Sequence, residues 1–138
     1  MSSKSPRRLF AALFLALLVV PFTGAASGQV IFDDERSIQN RDLYRRHRHT
    51  FQAETRVKLT YAAEKTGNGC HFRVRIYRRI DHGDRDYRIL DRPVHLRNES
   101  GSDVLYATLP PGDYRFDVDA KRMDIHVTLE VATDEDDE

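Results

Sequence analysis

The chain has 138 residues, with 22 lysines and arginines balanced by 22 aspartates and glutamates, one cysteine and no tryptophan. A single cysteine excludes an internal disulfide framework, so packing and backbone hydrogen bonds must hold the fold together. The zero net charge conceals two unlike halves: residues 36–97 carry 16 basic against 7 acidic side chains, and residues 98–138 carry 3 against 12. Those nets of +9 and −9 are mostly arginine on the positive side, a residue suited to forked pairing with oxyanions.

Lys4, Arg7 and Arg8 precede an unbroken apolar run over residues 9–20, which stops at Pro21 and is followed by Gly24, Ala25, Ala26, Ser27 and Gly28. This order of basic, apolar and small residues predicts a signal peptide over residues 1–27, cleaved between Ala26 and Gln29. The apolar run is also shorter than the roughly 20 residues a spanning helix needs. An exported protein is therefore expected, periplasmic or secreted, and soluble after cleavage. Without residues 1–27 the chain is mildly acidic and long enough for one domain with a modest core. Cys70 is then a buried small hydrophobe, a free thiol, or half of an intermolecular bridge.

Residues 28–48 read as a polar lead-in, in which Val30, Ile31 and Phe32 form a short strand or a packed arm. From His49 the hydrophobic period becomes two, the mark of half-buried strands. Val57, Leu59, Tyr61 and Ala63 alternate with Arg56, Lys58, Thr60 and Ala62. A turn at residues 65–69 leads to Phe72, Val74 and Ile76, alternating with Arg73, Arg75 and Tyr77. Turns are expected at residues 81–84 and 98–102, and between them lies a strand interrupted at Pro93, which predicts an edge or a bulge. Residues 104–109 form the next strand and end in Pro110-Pro111-Gly112-Asp113, a strong turn sequence. Tyr114, Phe116 and Val118 follow, and then the cleanest alternation of the chain, Met123, Ile125, Val127, Leu129 and Val131. The sum is an all-β, antiparallel β-sandwich of about seven strands over residues 49–132, of jelly-roll or immunoglobulin-like type. Residues 133–138 are expected to be an acidic, disordered tail.

The stretch from Leu109 through Pro110, Pro111, Gly112, Asp113 and Tyr114 to Val118, with the final strand from Ile125 to Val131, resembles the end of bacterial pre-peptidase C-terminal (PPC-like) domains. Those domains carry a comparable Leu-Pro-x-Gly-x-Tyr turn before their last two strands. Phe72 to Tyr77 sits where they place an earlier strand, although Arg73 and Arg75 stand at positions where acidic or neutral residues are expected. The resemblance, over roughly residues 49–131, implies a small exported, non-catalytic module for binding or secretion.

Among candidate sites, Arg56, Lys58, Arg73 and Arg75 stand out. If their two strands pair, four cations crowd one polar face, and such crowding requires compensation. The compensation is either internal, from Asp117, Asp119, Asp124, Glu130 or the acidic tail, or an anionic partner: a polysaccharide, a lipid head group at a membrane surface, or an acidic protein surface. An alternative is a structural envelope protein that self-associates through its oppositely charged halves. His47 and His49, two apart on one strand face, are the weak candidates for a metal, with His71 and Cys70 able to join them only if the strands are neighbours. The surrounding arginines oppose a bound cation, and no calcium-loop spacing is present around Asp81, Asp84 and Asp86 or around Asp113, Asp117, Asp119 and Asp124. No Ser, Cys or carboxylate shows a hydrolytic pattern, so neither catalytic residues nor a cofactor are expected. Nucleic acid is not expected as a partner of an exported, net acidic chain whose aromatic residues mostly face the core.

Overall fold

The computed structural model describes residues 27–37, 42–80 and 87–137. The expected signal peptide, but for Ser27, and the turn at residues 81–84 lie outside them. Eight strands follow in chain order: β1 (Val30–Arg36), β2 (Leu43–Phe51), β3 (Thr55–Lys65), β4 (His71–Arg79), β5 (Tyr87–Arg97), β6 (Gly101–Leu109), β7 (Gly112–Lys121) and β8 (Met123–Val131). They form two four-stranded sheets, ordered β1-β8-β3-β6 and β2-β7-β4-β5, with every pairing antiparallel.

The pairings β1 with β8, β2 with β7, β3 with β6, and β4 with β5 are those of one long hairpin rolled up on itself. That is a jelly roll, which selects between the two expected sandwich types. Among the described strands, only β4 and β5 are consecutive in one sheet; the other consecutive strands lie in opposite sheets. The alternation read from the sequence supplies the two inner faces. Val57, Leu59, Val127 and Leu129 of the first sheet meet Phe72, Val74, Phe116 and Val118 of the second, all buried. Each such side chain withdrawn from water contributes about 1.5–3 kcal/mol.

Three boundaries differ from the sequence reading. Most of the polar lead-in is strand, because β1 and β2 are the outer strands of the two sheets. In β2 the inward positions between Leu43 and Phe51 hold Arg45, His47 and His49 rather than aliphatic residues, which hides the period of two. The His47 ring stacks on Phe32 of the opposite sheet, 4.4 Å between centroids with planes 1° apart, and its Nε2 lies 2.7 Å from Asp34 Oδ2. His49 packs on Phe51 at 4.6 Å. The strands of the sandwich thus begin at Val30 rather than near His49, and the described residues hold eight of them.

The tail is the third difference, since Asp134–Asp137 is a 3₁₀ turn. Asp136 Oδ2 accepts from Thr133 N at 2.8 Å and Thr133 Oγ1 at 2.9 Å, and Lys58 Nζ donates to its Oδ1 at 3.0 Å. A cap and an ion pair thereby order a segment that has no apolar group to bury.

The Pro110-Pro111-Gly112 turn shows why a tyrosine follows it. Tyr114 is fully buried beside Phe51 and Phe116, and its hydroxyl donates back to Pro110 O at 2.6 Å. One side chain therefore anchors the strand in the core and fixes the turn that starts it.

Candidate functional site

β3 and β4 lie in opposite sheets, so the four cations singled out from the sequence do not share a face. The expected β3–β4 pairing fails because the connection at residues 66–70 crosses between the sheets instead of closing a hairpin. Arg56 and Lys58 point out of the first sheet. There the Arg56 guanidinium stands 4.4 Å over the Tyr106 ring and Lys58 holds Asp136. Arg73 and Arg75 point out of the second sheet.

The strands of the second sheet carry twelve Lys and Arg against four Asp and Glu, whereas those of the first carry four against seven. Charge that the sequence divides into halves is thus divided between the two sides of the sandwich. On the second sheet, β7 presents Asp113, Asp117 and Asp119 outward, with arginines of β2 on one side and of β4 on the other.

Asp117 is only 1% exposed although it points out of the sheet. Its carboxylate accepts from Tyr44 Oη at 3.0 Å and Arg115 Nε at 3.1 Å, with Arg46 Nε at 3.7 Å. A buried carboxylate tolerates loss of water when its oxygens are met this fully. Asp119 is bound by Arg73 and lies 3.3 Å from His71 Nε2, and Asp113 accepts from Thr50 Oγ1 at 2.6 Å and Arg79 Nη1 at 3.2 Å. Arg115 lies over the rings of Tyr77 at 4.1 Å and Tyr87 at 5.4 Å, and Arg48 over Tyr87 at 5.8 Å. Stacked and paired guanidinium groups lose little further freedom on meeting a ligand.

The β4–β5 side is arranged differently. Val74 pairs with Val94 and Ile76 with Asp91, so Arg75 stands opposite two residues, Arg92 and Pro93. This is the bulge expected at Pro93, and it falls on an edge strand, where a residue without an N–H removes no internal ladder bond. The bulge opens a recess of about 230 Å³ lined by Arg73, Arg75, Arg92, Val94 and His95. Of its lining residues, Arg73 and Arg75 each have a buried Nε that meets no hydrogen-bond acceptor among the described residues. A buried donor left without an acceptor costs on the order of 1–3 kcal/mol, more when it is charged, unless water or an anion meets it.

His47 and His49 share the inner side of β2, as their spacing predicts. His47 is committed to Phe32 and Asp34, and burial lowers the His49 pKa from its ordinary value of 6.5. His71 is on β4, separated from β2 by β7, and Cys70 is buried, so the two pairs do not meet. Among the described residues no group of three or more His, Cys, Asp or Glu is placed to hold a metal ion. The β7 aspartates, whose spacing fits no calcium loop, are partners of arginine, threonine and tyrosine, and Asp81, Asp84 and Asp86 lie outside the described residues.

Sequence reasoning found Arg73 and Arg75 but missed Arg92, His95 and the Arg115–tyrosine stack. Pro93 was the available signal for the first two. The stack depends on cross-strand register, which no spacing in the sequence reveals. No model of a known protein family matches the chain, and no curated protein matches it either.

Proposed function

We propose that this protein is an exported, non-catalytic binding module that contacts an anionic partner through the outer face of its second sheet. The observation that carries the reading is the basic excess at outward positions of that sheet, where Arg46, Arg48, Arg73, Arg75, Arg79, Arg92 and Arg115 outnumber Asp113, Asp117 and Asp119. β7 supplies fixed carboxylates that hold part of the arginine set in place, while Arg48 and Arg92 are exposed. A polysaccharide, a lipid surface or an acidic protein would all be met by such a face, because electrostatic complementarity mainly steers encounter and orients the partner. The resemblance of the last two strands to PPC-like modules points the same way.

Elution from a dextran sulfate column by a salt gradient tests this reading. Replacing Arg48, Arg75 and Arg92 together with Ser should move elution to lower salt, while replacing Arg56 and Lys58 should change it little. Equal effects from the two sets, with both variants folded, would contradict it.

The opposed charges of the two sheets also favour a second reading, in which the basic side of one copy meets the acidic side of the next. Such stacking weakens as salt screens the charges. Light scattering at low and high salt should then show larger particles at low salt; a monomer at both excludes it.

A further inference from the structure

From the recess at the β5 bulge we infer a site for one tetrahedral oxyanion, a sulfate ester or a phosphate monoester carried by a larger molecule. The inference rests on the reading of the second sheet's outer face as an anion-binding surface, and it names the group that this face recognises.

The bulge brings Arg92 to Arg75, and the regular pair Arg73–His95 brings the imidazole to the same recess. Arg73 is already neutralised by Asp119. Asp117, directly opposite Arg75 in register, spends its oxygens on Tyr44, Arg115 and Arg46 instead. Among the described residues, Arg75, Arg92 and His95 form no ion pair with a carboxylate, and Arg75 Nε is buried without an acceptor. Three donor groups therefore converge from two strands on one recess with little negative charge of its own.

That arrangement selects geometry as well as charge. A carboxylate has two coplanar oxygens and is satisfied by one forked guanidinium. Donors that approach from several directions are matched better by a tetrahedral group with three or four oxygens. The recess, about 230 Å³, also exceeds the size of the anion alone, leaving space for the residue that bears it.

Calorimetric titration of the purified protein with inorganic sulfate, inorganic phosphate and acetate, at matched ionic strength, tests the site. Sulfate or phosphate should bind at least tenfold more tightly than acetate. Arg75→Gln and Arg92→Gln should each lose that preference, and Arg48→Gln, on the same face outside the recess, should keep it. Arg92 is on the exposed bulge, so its variant remains informative if Arg75→Gln folds poorly. Binding of dextran sulfate, polyphosphate and polygalacturonate then separates the sources, with preference for the first indicating a sulfated glycan and for the second a phosphate ester. If acetate binds as well as the tetrahedral anions while all three polymers are retained equally, the oxyanion site falls and the binding face stands. If no polymer is retained, both fall.

Discussion

Asn98 is a small residue with two structural duties. It sits at φ 56°, in the left-handed region that favours glycine and asparagine, and its Oδ1 accepts from Gly69 N at 2.7 Å and Cys70 N at 3.1 Å. The triplet Asn98-Glu99-Ser100 fits a glycosylation pattern, but its asparagine is engaged with the backbone and Ser100 Oγ accepts from Lys65 N at 2.8 Å. Asn98→Gly should lose the two hydrogen bonds, roughly 1 kcal/mol at this exposed position. Asn98→Ala should lose about 1 kcal/mol more, because a Cβ is disfavoured at that φ. Urea unfolding checks the order, and equal losses would contradict the account. Cys70, 1% exposed beneath the same turn, is the small buried hydrophobe among its expected roles. A thiol reagent should therefore label it slowly in the native protein and rapidly in denaturant; rapid native labelling would show that the turn opens.

At the scale of elements, the C-terminal turn and β3 are joined through a carboxylate whose ionisation can be followed. Hydrogen bonds from Thr133 N, Lys58 Nζ and Thr133 Oγ1 hold the Asp136 pKa far below its ordinary value of 3.8. A depressed folded pKa means that the contribution is complete above 3.8 and is lost as pH falls through the folded value. The stability gap between the protein and Asp136→Asn should hold steady at neutral pH and close in acid. A gap independent of pH would show that the turn is held by something else. The same ion pair raises the Lys58 pKa, so its contribution persists below 10.5 and is lost only as pH rises through the folded value. β5 and β2 show how far elements were legible. Pro93 announced the bulge because a missing N–H has a fixed consequence. β2 was obscured because His47 and His49 occupy core-facing positions, where their ring faces pack while their nitrogens keep them nominally polar. The acidic tail looked disordered because one cap and one lysine, not composition, order it.

At the scale of the molecule, the alternation of β3, β4, β7 and β8 was enough to establish two packed sheets, since each strand declares one buried face. Which strands become neighbours depends on whether each turn closes a hairpin or crosses between sheets, and turn composition does not distinguish the two. That is why the cations of β3 and β4 were expected together and stand on opposite sides, and why a charge division along the chain becomes one across the sandwich. The central claim is that an anionic partner meets the second sheet and not the first. The most direct measurement is to follow backbone amide resonances while dextran sulfate is titrated in. Shifts should concentrate on outward residues of β2, β4, β5 and β7, including Arg48, Arg75, Arg92 and His95, and should diminish as salt is added. Shifts centred on Arg56, Lys58 and the neighbouring strands of the first sheet, or none on either sheet, would contradict the account.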